Sequence, residues 1–121
     1  QKIGVVTLKC FRPFPFAAVR EALRYVSRVL VIERMMSAGG AGAVSLEVMK
    51  ALKGTAVDQK TVYAGLGGRS VSKASFKKVF GAALRNELQE DEFFLDLDRE
   101  LLSRQLEREK TSRHIGPSPR Q

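Results

Sequence analysis

The chain has 121 residues and a net charge of +8, with 44% hydrophobic residues, one Cys and one His. That is one domain of ordinary globular composition. It holds no apolar run near the ~18–20 residues of a membrane span, and its lone Cys10 and His114 can form neither a disulfide, a zinc site nor a Ser-His-Asp set. The charge is uneven: residues 1–86 carry 15 Lys and Arg against 4 acids, residues 87–121 carry 6 against 9. A basic body followed by an acidic segment suits an acidic partner, protein or nucleic acid, or its own tail.

Taken in order, Ile3, Val5, Val6 and Leu8 predict a buried strand over 2–9, with Cys10 a small packed residue beside it. Phe11-Arg12-Pro13-Phe14-Pro15 ends that strand: two prolines lack N–H donors and fix φ, so they form a stiff corner with two rings free to pack. Phe16, Val19, Leu23 and Val26 fall on one face of a helix over 16–26. Residues 28–33, Arg-Val-Leu-Val-Ile-Glu, read as a strand buried on both faces, as in a parallel sheet. A Gly-rich loop over 34–42 leads to a helix over 43–53, with Val44, Val48, Met49 and Leu52 inward and Gly54 at its C-terminal cap. A third strand is expected over 61–66, turning at Gly67-Gly68.

Ser72 is placed to cap a helix over 73–84, with Val71 and Phe76 as a staple and Phe76, Val79, Phe80 and Ala83 inward. Three strand-helix alternations predict parallel strands with right-handed crossovers, a three-layer α/β/α domain over 1–86. Beyond it, Glu90-Asp91-Glu92 can open an amphipathic helix over about 92–110, with Phe94, Leu97, Leu101, Leu102 and Leu106 as its stripe. A Gly116-Pro117-Ser118-Pro119 tail closes an acidic extension over 87–121.

Two stretches imitate phosphate-binding loops, 40–45 (Gly-Ala-Gly-Ala-Val-Ser) and 65–70 (Gly-Leu-Gly-Gly-Arg-Ser). The first lies several residues beyond its strand and neither has a P-loop lysine, so ordinary βα turns are expected at both. Glu33 beside Arg34 reads as a structural ion pair in preference to an acid/base centre. No zinc-finger, helix-turn-helix or RNP pattern supports nucleic acid, and no Trp and only two Tyr are available for stacking. Arg12, Arg34 and Arg69 fall at strand ends, where open α/β sheets meet ligands and partners. With Gly67 and Gly68 they are the interface candidates, and Phe11, Pro13, Phe14 and Pro15 the structural corner. No catalytic, cofactor or metal residue is assigned.

Read together, Phe11-Arg12-Pro13-Phe14-Pro15, Val19-Arg20-Glu21-Ala22-Leu23, Arg28–Arg34, Glu47-Val48, Ala51-Leu52 and Val62-Tyr63-Ala64-Gly65-Leu66-Gly67-Gly68-Arg69 resemble the α chain of pyruvate-type 2-oxoacid:ferredoxin oxidoreductases, in the domain with the transketolase C-terminal fold. The resemblance covers about residues 2–84. It implies a complex that decarboxylates a 2-oxo acid on thiamine diphosphate, passes electrons through iron–sulfur clusters to ferredoxin and releases an acyl-CoA. It implies that this chain is a non-catalytic subunit-contact part of that complex; the lone Cys suits a reducing cytoplasm, and no membrane is expected. Gln1 stands where a start would have Met, so a piece of something longer is expected.

In that fold a further strand and helix precede residues 2–9, and the strand lies mid-sheet between 2–9 and 28–33. Either another chain supplies it, or 2–9 and 28–33 pair directly. Two rival readings are a basic module for an acidic protein or nucleic acid, and a nucleotide-binding enzyme domain.

Overall fold

The computed structural model describes residues 2–113; His114 and the Gly116–Pro119 tail lie outside them. Among the described residues the elements are α1 (Phe16–Ala22), β1 (Arg28–Glu33), α2 (Ala43–Ala51), β2 (Asp58–Tyr63), a 3₁₀ turn at Leu66–Gly68, α3 (Lys73–Leu84), β3 (Glu92–Phe94) and α4 (Arg99–Arg113). The strands form one parallel sheet in the order β1-β2-β3. Among the described residues no helix is long and apolar enough to cross a membrane.

The register pairs Arg28 with Asp58 through Glu33 with Tyr63, and Thr61–Tyr63 with Glu92–Phe94. Side chains alternate across a strand, so Val29, Val31 and Glu33 share a face with Gln59, Thr61 and Tyr63. That face carries the core: Val31 packs with Phe14, Val19, Leu23, Val48, Ala51 and Leu52, and half-buried Leu8, Val29, Val44 and Val57 close around them. Arg28, Leu30, Ile32, Asp58, Lys60 and Val62 occupy the other face. The Arg28 guanidinium donates to the Ala83 carbonyl at 2.7 Å and to Asn86 Oδ1, tying the end of α3 to that side. The predicted three-layer α/β/α arrangement is the one that forms.

Several boundaries depart from expectation. Residues 2–9 form no strand; they are exposed, and only Leu8 is held, against the core. Strand propensity needs a ladder partner to be expressed, and none of the described strands pairs with 2–9. Helix α1 stops at Ala22, so Val26 is left half in solvent while the chain turns to enter β1. In α2 Ala51 points inward and Met49 outward, the reverse of the expectation for Met49. Gly54 adopts φ +78° just beyond the helix end. Strand β2 starts at Asp58, three residues early, because its polar start finds partners outside it: Arg28 donates to Asp58 at 2.6 Å, Gln59 Nε2 donates to the Ser45 carbonyl at 2.9 Å while its Oε1 is buried without a partner among the described residues, and Lys60 donates to Asp91 at 2.7 Å. Helix α3 starts as predicted, the Ser75 N–H donating to Ser72 Oγ at 3.0 Å.

The acidic run Glu90–Glu92 opens no helix. Thr61 N–H donates to the Asp91 carbonyl at 2.7 Å and Leu95 N–H to the Tyr63 carbonyl at 2.8 Å, which makes β3 a strand. The last helix is capped later, by Asp98 Oδ1 on the Leu101 N–H at 2.9 Å. Its Leu101, Leu102 and Leu106 remain 40–49% exposed, so the predicted apolar stripe is present but unpacked.

Glu33 forms no ion pair with Arg34. Its side chain, on the core face and buried, reaches the N-terminus of α2. Val44 N–H donates to Oε1 at 2.8 Å, and the Ser45 N–H and hydroxyl donate to Oε2 at 3.3 and 3.0 Å. Free N–H groups and the helix dipole favour a negative charge there. The loop 40–45 thus receives a carboxylate from its own chain where a phosphate loop would receive an anion. Gly42 makes this possible: a Cβ on it would lie 1.3 Å from Glu33 Oε2.

On the opposite face Arg28, Asp58, Lys60 and Asp91 form a charged line. The Arg28 hydrogen bond, helped by Lys60, holds the Asp58 carboxyl below its ordinary range. The Asp91 bond raises Lys60.

Two outcomes follow for stability. Gly42→Ala is expected to destabilise by about 2–3 kcal/mol, since the methyl displaces a buried hydrogen-bonded carboxylate. Urea titration of a double-mutant cycle checks it: in a Glu33→Ala background the same change should cost much less, because the two residues share one contact. Asp58→Asn should cost about 1 kcal/mol near neutral pH, discounted for partial exposure. A depressed carboxyl contributes above its unfolded value of ~3.9 and loses that contribution as pH falls through the folded value. The difference between wild type and Asp58→Asn should therefore vanish in acid; a pH-independent difference would refute the assignment.

Candidate interface and C-terminal sheet edge

The corner at 11–15 leads into α1. Phe14 is buried in the core, with Phe16 at 4.9 Å and Phe11 edge-on at 6.4 Å between ring centroids. Pro13 and Pro15 flank Phe14 and lead directly into α1, and the Arg12–Pro13 peptide is cis. The Arg12 guanidinium lies 4.0 Å over the Phe11 ring and donates to Glu47 Oε1 at 3.2 Å. Glu47 also pairs with Lys50 at 3.3 Å. Arg12 therefore clamps the corner to α2. Cys10 is exposed, its thiol donating to the Arg12 carbonyl at 3.2 Å, because the strand expected to bury it does not form.

The other two arginines meet at the C-terminal edge of the sheet. Gly65 leaves β2 with φ +70°, and Gly67 and Gly68 follow at +65° and +80°. Non-glycine residues rarely take these values. Gly67 and Gly68 have open space around them, whereas a Cβ on Gly65 would come 3.0 Å from the Arg69 carbonyl and 3.4 Å from Arg34 Nε. Gly65, then, lets the Arg34 side chain and the Arg69 backbone close over the end of β2. Both arginines are exposed, and neither side chain forms an ion pair with a described residue. Arg34 is free because Glu33, on the opposite face of the strand, is engaged by α2.

A cavity of about 410 Å³ opens beside this turn, bounded by the end of β2, residues 65–71 and residues 94–97. The Tyr63 and Phe94 rings form its aromatic wall, 5.1 Å apart and tilted by 30°. Tyr63 is buried and its hydroxyl donates to Glu92 Oε2 at 3.1 Å. Burial, then Glu92, pushes its phenol above the ordinary value. Arg69 and Asp96 stand on the cavity wall, Asp96 at φ +56°. Of these, sequence reasoning reached Arg69 alone. Phe94 and Asp96 were hidden inside the supposed helix, and only the pairing of β3 with β2 brings them to Tyr63.

The side chains present do not fit the groups that the resemblance brings. Iron–sulfur clusters are held by several Cys thiolates, and the sequence has one Cys. A diphosphate carries a divalent cation held partly by carboxylates, and among the described residues no three His, Cys, Asp or Glu gather to hold a metal. The arrangement can offer contact: an open sheet edge, two unpaired guanidinium groups and a half-apolar cavity.

Comparison with known proteins shows the family. The sequence model of the pyruvate:ferredoxin oxidoreductase core domain II family matches residues 1–76. Among curated proteins, the chain is 33% identical over 94 residues to the pyruvate synthase subunit PorA of Thermotoga maritima, covering 75% of this chain and 24% of that protein. It is 31% identical over 80 residues to PorA of Methanocaldococcus jannaschii, covering 65% and 20%. To PorA of Methanosarcina barkeri it is 30% identical over 108 residues, covering 84% and 27%. The chain spans about a fifth to a quarter of the length of these relatives. On the match over most of its length, this chain belongs to the pyruvate:ferredoxin oxidoreductase core domain II family.

Proposed function

We propose that this chain is a non-catalytic scaffold and subunit-contact domain of a pyruvate-type 2-oxoacid:ferredoxin oxidoreductase. The complex as a whole converts a 2-oxo acid and CoA to acyl-CoA and CO2 and reduces ferredoxin. Thiamine diphosphate and the iron–sulfur clusters belong to its other parts in this reading, which the single Cys of the sequence supports for the clusters. The setting we propose is cytoplasmic.

The observation that carries this reading is the free edge of β1. Asp58 N–H donates to the Ser27 carbonyl and Ala64 N–H to the Glu33 carbonyl. The parallel ladder alternates from there, so the odd-numbered residues of β1 serve β2, and Arg28, Leu30 and Ile32 direct their N–H and C=O groups outward. Strand β1 is also the most apolar of the three, with Val31 and Glu33 buried. Sheets normally place such strands inside and guard their edges with charge, bulges or cover. Residues 2–9 do not pair with β1, which favours the alternative in which a neighbouring segment supplies the strand between them. Arg34, Arg69, Gly67 and Gly68, at the end of the same sheet, extend the contact surface; Arg12 serves it by holding the corner against Glu47.

The test is assembly. Arg34→Ala combined with Arg69→Ala should leave the circular-dichroism spectrum and melting of the chain unchanged. The same pair should weaken its association with the remaining oxidoreductase chains, by about thirtyfold if each guanidinium contributes ~1 kcal/mol at the contact, read by gel filtration and titration. Unaltered association would remove these arginines from the interface. Oxidation of pyruvate by this chain alone would overturn the scaffold reading entirely.

A further inference from the structure

The C-terminal part of the chain is joined to the domain by one short strand. Strand β3 gives three residues to its ladder, whereas all six residues of β2 pair with β1. Before the strand, Glu87 N–H donates to the Ala82 carbonyl at 2.9 Å and closes α3; after it, Leu95 N–H donates to the Tyr63 carbonyl at 2.8 Å. Beyond Leu95, among the described residues, the hydrogen bonds and ion pairs of 96–113 stay within that segment. Residues 99–111 of α4 are all exposed. Asn86 and Asp96 bracket the strand at φ +60° and +56°, the left-handed region that Asn and Asp enter more readily than most residues.

Two polar side-chain contacts hold the strand down. Lys60 Nζ donates to Asp91 Oδ1 at 2.7 Å, and the Tyr63 hydroxyl donates to Glu92 Oε2 at 3.1 Å. Phe94 sets its ring 5.1 Å from that of Tyr63 yet stays 40% exposed. In each polar contact the buried member, Lys60 or Tyr63, belongs to β2, and the carboxylate opposite it is exposed. Lifting the strand therefore strips little burial from Asp91 and Glu92. Lys60 keeps a partner when Asp91 leaves, because Asp58 Oδ1 stands 3.6 Å from its Nζ. Segments with few buried apolar contacts and exposed hydrogen bonds open by themselves, ahead of the rest of a fold. We propose that residues 88–95 are a releasable strap: β3 and α4 lift from β2 together while the rest of the domain stays folded, uncovering the Tyr63 ring and the outer edge of β2. An uncovered strand edge is a template for an extended segment of another chain, so release exposes a second docking edge, on the far side of the sheet from β1. This goes beyond the scaffold reading, and assembly plays no part in its test.

Amide hydrogen exchange of the 121-residue chain at several low urea concentrations decides it. Thr61 N–H donates to the Asp91 carbonyl, and by the alternation of the ladder Tyr63 N–H also serves β3, while Lys60 and Val62 N–H serve β1. Release of the strap frees the first pair of amides and leaves the second pair bonded. After correction for intrinsic rates, Thr61 and Tyr63 should exchange about tenfold or more faster than Val62, with a shallower dependence on urea, because the opening exposes little surface. Asp91→Asn should speed Thr61 and Tyr63 by about a further tenfold, the worth of one charge-assisted contact to an exposed carboxylate. Circular dichroism confirms that the variant is folded. Equal exchange and equal urea dependence at Thr61, Tyr63 and Val62 would mean that β3 opens only with the whole domain. That result, or exchange at Thr61 and Tyr63 indifferent to Asp91→Asn, would overturn the proposal.

Discussion

The Glu33 carboxylate at the head of α2 is the contact on which the rest of the structure depends. It closes β1, anchors the first turn of α2 through two backbone N–H groups and the Ser45 hydroxyl, and sets the path of the loop between them. A buried carboxylate is tolerable when hydrogen-bonded donors and a helix N-terminus surround it. Gly42 is required because the carboxylate occupies the space of any side chain there. One consequence reaches the surface. Successive residues of a strand face opposite sides, so binding Glu33 inward leaves Arg34 without its neighbour, free beside Gly65.

The two faces of the sheet are held by different forces. Hydrophobic burial dominates where Val31 meets Phe14, Val19 and the inward side of α2. The opposite face depends on hydrogen-bonded charge: Arg28 bridges Asp58 and the end of α3, and Lys60 joins Asp58 to Asp91. This line also links β1, β2 and the approach to β3, so a strand of only three residues stays in register. Both arrangements stop at β1, whose outer edge pairs with no described strand. Conformational stability and incompleteness therefore meet on the same strand, and this is the physical basis for reading the domain as part of a larger assembly.

Much of this fold could be read from the sequence, where local pattern and tertiary demand agree. Strand β1 is a run of apolar β-formers, Ser72 caps α3, and the prolines around Phe14 make the corner. The failures have identifiable causes. Residues 2–9 have the composition of a strand but no ladder to join. Asp58, Gln59 and Lys60 look like loop because their partners, Arg28, Ser45 and Asp91, are remote in sequence. Phe94 fits a helical stripe with Leu97 and Leu101 until its backbone pairs with β2. The site follows the same rule. Strand-end position picked out Arg34 and Arg69, but the cavity around Arg69 needs β3, and sequence period does not reveal a three-residue strand. Gly65, two positions past Tyr63 at the end of β2, makes the close approach there, though the Gly67-Gly68 pair is the more conspicuous.

Amide hydrogen exchange along β1 tests the account most directly, in the isolated chain and in the assembled oxidoreductase. Leu30 and Ile32, facing the free edge, should exchange far faster than Val29 and Val31 in the isolated chain, and all four should be protected in the assembly. Equal protection of the four in the isolated chain would mean that β1 already has a second partner, and would contradict the claim that an interior strand stands open.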